Sequence, residues 1–180
     1  MLPDLATDAD IIALTGSEAH AQCGALAEIL IACVTGGASV SFMAPLARDK
    51  AESFWHSVAD SVERGERMLV AAKDPRSAKL VGTVQILLRQ MENQPHRAEV
   101  AKMLVHPEAR RRGIGAKLLR FAEAAARSAS KTLLVLDTAS GGDAERLYER
   151  LGWVRVGVIP DYALLPDGRP CATTIFYKRL

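Results

Sequence analysis

The chain has 180 residues, 49% hydrophobic and 24% charged, with a formal net charge of +2 from 23 basic and 21 acidic side chains. That length suits a single domain, residues 1–180, with a well-buried core, and the composition excludes a wholly disordered chain. The near balance of charge leaves no broad field to hold a nucleic-acid backbone or an anionic membrane, so any basic function is local.

In chain order, "ADIIALT" predicts a short strand and "SEAHAQCGALAEILIACVTGG" one helix, with Ser17 as N-cap and Gly36-Gly37 as the stop. Ala19, Cys23, Leu26, Leu30, Cys33 and Val34 recur at three- and four-residue spacing and form its apolar face. "GGASVSFM" connects to a second helix, "RDKAESFWHSVADSVERG", where Phe54, Val58 and Val62 align and Gly65 ends the run. "ERMLVAAKD" and "AKLVGTVQILLRQ", separated by "DPRS", predict an antiparallel hairpin. "HRAEVAKMLV" is the next strand, ended by Pro107.

A third helix, "GAKLLRFAEAAARSAS", is rich in strong helix formers, and "KTLLVLDT" has the apolar character of a doubly covered central strand. "DAERLYERLGW" is a short amphipathic helix, and "WVRVGVI" and "TTIFYKRL" are closing strands around the loop "PDYALLPDGRPC". The order β-α-α-β-β-β-α-β-α-β-β predicts an α/β (α+β) fold with a mixed, twisted sheet of about seven strands and helices on both faces.

Cys23, Cys33 and Cys171 are odd in number and form no C-x-x-C pair, so neither a disulfide framework nor a zinc site is suggested, and a reducing, cytoplasmic setting is expected. His20, His56, His96 and His106 show no ligand spacing, so no metal is expected. The segment "MLPDLATDADIIALT" carries acids where a secretory signal has basic residues, and "LAEILIACV" is interrupted by Glu28 and is shorter than the ~20 residues of a membrane span.

The stretch "VHPEARRRGIGAKLL", Val105 to Leu119, concentrates charge and backbone freedom at a strand-to-helix junction. Unpaired N–H groups at a helix start receive anions. Gly113 and Gly115 would let that backbone approach a phosphate, and Arg110, Arg111 and Arg112 suit phosphate geometry. A Walker A loop is excluded because Lys117 is followed by Leu118 rather than a hydroxyl residue; a dinucleotide fingerprint is excluded because Leu118 occupies its third glycine position. Taken alone, R-x-x-G-x-G is equally compatible with an exposed basic turn.

In context, "MLVHPEARRRGIGAKLL" resembles the central motif of the GCN5-related N-acetyltransferase (GNAT) superfamily, and "DAERLYERLGW" resembles its next motif, a helix with a Tyr shortly before Gly-aromatic. The element order is also that fold's order. The resemblance implies acetyl-coenzyme A as co-substrate and no metal. Its pantetheine arm would pair with the main chain of Met103, Leu104 and Val105, and its pyrophosphate would meet the N–H groups of Arg111, Arg112, Gly113, Ile114, Gly115 and Ala116, with Arg110 at the family's R/Q position and Lys117 near the phosphates. Within the superfamily "GGASVSFM", "HRAEVAKMLV", "LVLDTASG" and "YALLPDGR" resemble the tabtoxin-resistance acetyltransferases, implying a small-molecule, amino-acid-like amine as acceptor; the alternatives are a protein N-terminus, lysine or aminoglycoside as acceptor, or a non-catalytic acyl-coenzyme A sensor.

Three side chains are candidate catalysts. Glu99 sits inside a predicted interior strand, where a carboxylate is costly unless paired or used, and Asp137 ends the "LLVLD" strand, the end of a strand where open sheets collect ligands. The tabtoxin-resistance motifs "RAEV" and "LDT" carry acids at both positions, with an implied proton-accepting role. The alternatives are a salt bridge of Glu99 with Arg97 or Lys102 and a turn hydrogen bond for Asp137. For Tyr148 the resemblance implies assistance to the departing thiolate; its alternative is packing. The Asn that many members place seven residues earlier is Gly141 here. Trp55 and Trp153 read as core, and Ser39, Phe42 and Met43 as either acceptor pocket or loop. A monomer and a homodimer stay equally open.

Overall fold

The computed structural model describes residues 9–180. Residues 1–8, on which part of the secretory-signal reading rests, lie outside it. In chain order the elements are β1 (Asp10–Leu14), α1 (Gly16–Ala21), α2 (Cys23–Thr35), α3 (Arg48–Glu63), β2 (Arg67–Lys73), β3 (Leu80–Leu87), β4 (Arg97–Val105), a 3₁₀ turn (Pro107–Ala109), α4 (Ile114–Ser128), β5 (Leu133–Ala139), α5 (Asp143–Arg150), β6 (Val154–Leu164) and β7 (Pro170–Arg179). The strands form one sheet in the order β1-β2-β3-β4-β5-β7-β6, antiparallel throughout except for β4 beside β5. This is the expected mixed seven-stranded α/β arrangement. No helix of the described residues is long and apolar enough to cross a membrane.

The single first helix read from the sequence is two. Thr15, not Ser17, is its N-cap: the Thr15 hydroxyl accepts from the Glu18 N–H while the Glu18 carboxylate accepts from the Thr15 N–H, a reciprocal cap. Gln22 ends α1 and begins α2. The two halves serve different neighbours. Gly16 of α1 lies against the end of α3, where an added Cβ would come within 2.8 Å of Glu63 Cβ, whereas α2 lies on the sheet.

The buried stripe of α3 is Ala51, Trp55, Val58 and Ala59, so Trp55 leads it and Phe54 packs edge-on at its margin. Helices α1 to α3 bury Leu26, Leu30 and Trp55 with Leu69, Ala71 and Leu104 on one face of the sheet. On the other face, Leu118, Leu119 and Ala122 of α4 meet Val70, Val84, Ile86, Ala98 and Leu134. Asp74 caps the β2–β3 turn by accepting from the Arg76 and Ser77 N–H groups, as "DPRS" predicts.

The closing loop is also different from its reading. Most of "PDYALLPDGRPC" is strand, because β6 continues to Leu164 and β7 begins at Pro170. Pro160 and Asp161 (φ +51°) sit in a bulge between the pairs Ile159↔Thr173 and Ala163↔Cys171. On an edge strand a bulge accommodates a proline that a central strand would reject.

Candidate functional site

β4 and β5 pair over only three residues, Arg97↔Leu133, Ala98↔Leu134 and Glu99↔Val135, and then part. On its other side β4 keeps β3, but with one extra residue: Thr83 faces Leu104 while Gln85 faces Ala101. Lys102, at φ +49°, takes up the excess. Beyond Glu99 the edge of β4 turned toward β5 has no strand partner, so its main-chain groups are open to a cleft. Leu104 turns its carbonyl toward Gly82 of β3, so it is Met103 and Val105, on either side of it, whose main chain addresses that edge.

At the mouth of the cleft the chain turns into α4. Arg111 (φ +63°) and Gly113 (φ +75°) both adopt left-handed conformations, and such alternation gathers successive N–H groups into an anion-binding concavity. The N–H groups of Ile114, Gly115 and Ala116 open the helix, with Lys117 making the first bond back, to the Gly113 carbonyl. The two glycines do different jobs. A Cβ on Gly113 would meet nothing within 4 Å, so glycine is required there by backbone conformation. A Cβ on Gly115 would lie 3.0 Å from Leu147 Cδ2 and 3.7 Å from Met103 Sδ, so that glycine lets α4 close on α5 and β4.

The arginines are not one cluster. Arg110 Nε donates to the Val105 carbonyl at 3.2 Å, bracing the turn against the end of β4. Arg112 donates to the Glu108 carbonyl and pairs with Asp74 at 3.6 Å, directed at the β2–β3 turn. Asp143, at the start of α5, has its carboxyl lowered first by the Arg146 hydrogen bond and further by Arg111 and Arg110.

Glu99 and Asp137 occupy the same face of the sheet: Ala98, Leu134 and Leu136 enter the α4 core, so the intervening side chains face the α1–α3 side. Glu99 is half-buried and Asp137 exposed. Asp137 lies inside β5, opposite Ile175 of β7, rather than at the strand's end or in a turn. The alternative partners of Glu99 are engaged elsewhere: Arg97 donates to Gln90 Oε1 and Lys102 to Ser41 Oγ. Burial lowers the Lys102 ammonium, against the attraction of Asp137 and Glu99. The three charged groups therefore share one electrostatic site.

Tyr148 is 5% exposed, with its ring 5.7 Å from Phe176 and 5.9 Å from Trp153. Burial pushes its phenol up, and the negative charge of Asp137 adds to the shift. Trp153 is in turn held by Glu123, which accepts from the indole at 3.0 Å and pairs with Lys178 at 2.8 Å.

The connection after α2 is tied across the far end of the cleft. Ser39 donates to the Leu164 carbonyl at 2.9 Å and the Ala44 N–H to the Pro166 carbonyl at 3.0 Å, joining it to the β6–β7 hairpin. Phe42 is half-buried on Phe54, while Met43 is 45% exposed. Glu145 did not stand out in the sequence. Its carboxylate accepts from the Gly141 N–H and the Thr174 hydroxyl, fixing the glycine turn before α5; an acid in the first turn of a predicted helix was the available signal. A second constellation went unread: His20, Cys23 and His56 converge outside the cleft.

Residues 64–155, just over half the chain, match the family described as the acetyltransferase (GNAT) domain. The chain belongs to the GNAT acetyltransferase family. The matched span contains the β4 edge, the turn into α4, Glu99, Asp137 and Tyr148. Solved structures similar to this GNAT chain include yncA of Salmonella typhimurium, determined with acetyl-CoA, at 20% identity and TM-score 0.78 over 96% of this chain and 94% of that one. A ribosomal-protein-alanine N-acetyltransferase of Brucella melitensis is 21% identical with TM-score 0.77, covering 95% and 99%. A phosphinothricin acetyltransferase of Sinorhizobium meliloti, in complex with acetyl-CoA, is 18% identical with TM-score 0.77, covering 96% and 88%. These likenesses are of the GNAT fold.

Proposed function

We propose that this GNAT enzyme transfers acetyl from acetyl-CoA to a primary amine of a small molecule, by direct transfer in a ternary complex. The observation that carries the donor assignment is the unpartnered edge of β4 running into the left-handed turn at Gly113. An extended pantetheine amide chain suits the main chain of Met103 and Val105, on either side of Leu104, and a pyrophosphate suits the N–H groups from Arg111 through Ala116. Arg111 and Lys117 add charge at the phosphate end, while Arg110 acts mainly by bracing the turn and Arg112 by tying it to Asp74.

Acetyl transfer needs a neutral amine, yet a free alkylamine of pKa ~10.4 is mostly protonated at neutral pH. Glu99 and Asp137, on one face and beside the parting strands, attract the ammonium and accept its proton directly or through water. The amine nitrogen then bonds to the acetyl carbon as the carbon–sulfur bond breaks; the sulfur leaves as a thiolate, and the proton that the nitrogen sheds on becoming an amide passes through water to the sulfur, which ends as the thiol. Tyr148, kept protonated by burial, donates a hydrogen bond to that sulfur. No acyl-enzyme is required. Cys23, which lies beside His56, is outside the cleft, and burial pushes its thiol up.

The hydrogen bonds of Ser39 and Ala44 to the β6–β7 hairpin support a small acceptor, because they hold the connection after α2 in place as a fixed wall rather than a mobile loop. Lys102 on the same face supplies a cation for an acceptor carboxylate, in keeping with an amino-acid-like substrate such as the tabtoxin-resistance resemblance implies. The test is thiol release from acetyl-CoA across simple amines, amino acids, aminoglycosides and peptides. Turnover with small amino acids and none with peptides is expected. Tight donor binding with no turnover on any amine would overturn the catalytic reading, and a strict preference for peptides would overturn the small-acceptor reading.

A further inference from the structure

We propose that His20, Cys23 and His56 form a divalent-metal site, suited to zinc, on the outer side of the α1–α3 layer. The break at Gln22 sets the last turn of α1 and the first of α2 so that His20 and Cys23, three residues apart, both face α3. There His20 Nδ1 lies 3.1 Å from His56 Nδ1, and Cys23 Sγ lies 3.5 Å from the same His56 nitrogen. All three candidate ligand atoms fall within 4.8 Å of one another.

The two spacings about His56 Nδ1 are close to those of a metal's coordination shell, and the third, between His20 and Cys23, is within 4.8 Å. With Zn–N of about 2.0–2.1 Å and Zn–S of about 2.3 Å, tetrahedral geometry puts two nitrogens about 3.3 Å apart and a nitrogen and sulfur about 3.6 Å apart. The second shell is also in place. Asp60, one turn after His56 on α3, lies 3.0 Å from His20 Nε2. A proton held on Nε2 by that carboxylate leaves the His20 Nδ1 lone pair facing the other two ligands, the carboxylate–histidine arrangement that orients metal-bound imidazoles.

Cys23 is 3% exposed, and burial together with the charges of Glu52 and Asp60 keeps it a thiol while no cation is present. Binding would expel the thiol proton to solvent, and coordination through Nδ1 would leave the His56 ring N–H at Nε2. The N₂S donor set favours zinc over magnesium or calcium, whose ligands are oxygens. A shallow depression lined by Ser17, His20, Asp60, Glu63 and Arg64 borders the Asp60 side of His20. The site does not depend on the acetyl-transfer reading, because it shares no residue with the cleft.

The experiment is titration of chelator-treated full-length protein with Co²⁺, followed by displacement with Zn²⁺. One equivalent of Co²⁺ with a thiolate-to-cobalt charge-transfer band and tetrahedral d–d bands is expected, bleached by one equivalent of Zn²⁺. Cys23→Ser should abolish the charge-transfer band, His56→Gln should weaken binding at least tenfold, and Asp60→Asn should weaken it about 10- to 100-fold. His56→Gln alters an exposed side chain, so it remains a test should Cys23→Ser fail to fold. Absence of stoichiometric binding to the folded wild type, or binding unchanged in His56→Gln, would overturn the proposal.

Discussion

Replacement of Tyr148 by Phe separates chemistry from packing. The Tyr148 ring is almost fully buried between Trp153 and Phe176, and Phe retains that ring, so only a hydroxyl is lost. Net stability should change by no more than about 1 kcal/mol, the usual worth of one hydrogen bond, which in a domain of this size is about 2–4 °C in Tm. The effect on rate is larger. A departing thiolate has a conjugate pKa of ~8.5, and an ordinary phenol lies at ~10. Burial and Asp137 push the Tyr148 phenol higher still, so complete proton transfer to sulfur is uphill. In the proposed mechanism what Tyr148 supplies is therefore a hydrogen bond to an anion, worth about 1.5–3 kcal/mol. Lost from the transition state, that is a fall in kcat of about 10- to 150-fold with the acetyl-CoA Kd unchanged. Steady-state kinetics, donor titration and thermal melts would measure all three quantities. A kcat within twofold of wild type, or a fall accompanied by collapse of Tm, would refute the reasoning.

Glu99→Gln and Asp137→Asn should each lower turnover with little change in donor Kd, measured by thiol release and calorimetry; equal loss of donor binding in both would make them structural. Gly113→Ala places a Cβ in a left-handed conformation at a cost of about 1–2 kcal/mol and should raise the acetyl-CoA Kd about 5- to 30-fold. Gly115→Ala should instead lower Tm by crowding Leu147, an overpacking cost of about 1–3 kcal/mol that Leu147→Ala in the same chain should partly relieve. Hydrogen bonds from Arg64, foremost, and Arg89 hold the Glu66 carboxyl down at about 2. That contribution is present above the unfolded carboxyl pKa of ~4.3 and is lost as pH falls through the folded value, so the Tm gap between wild type and Glu66→Gln should close between pH ~4.5 and about 2. A gap that persists in acid would count against it.

The strands and their order were legible because each is a short apolar run bounded by turn residues, and the turn into α4 because its glycines and proline are local signals. The split between α1 and α2 was not, since Ala19, Cys23 and Leu26 keep helical spacing straight through Gln22, whose backbone (φ −103°, ψ 5°) departs from the helix. The length of β6 was hidden by Pro160 and Asp161, which read as loop but occupy a bulge. Glu99 and Asp137 could be named singly, but that they share a face depends on the register Glu99↔Val135, a pairing between distant segments. Gly115 was assigned to phosphate approach because sequence shows its freedom and not its neighbour Leu147. His20 and Cys23 are three residues apart, yet the ligand that completes their group comes from another helix, 36 residues after His20.

Lys102 is supernumerary to the ladder in which it stands. Ala98 and Val100 before it and Met103 and Val105 after it all pack against the α4 core, while Leu104 packs on the other side. Removing Lys102 from the count restores strict alternation through the whole of β4 without sending any core side chain to the wrong face. The demands of folding and those of the cleft thus come apart at a single backbone position. A chain one residue shorter here would retain a consistent pattern for its interior while losing both the kink in β4 and the cation facing Glu99 and Asp137. Among homologous chains, length at this point would consequently report on the proposed acceptor cleft more directly than the identity of the residues around it.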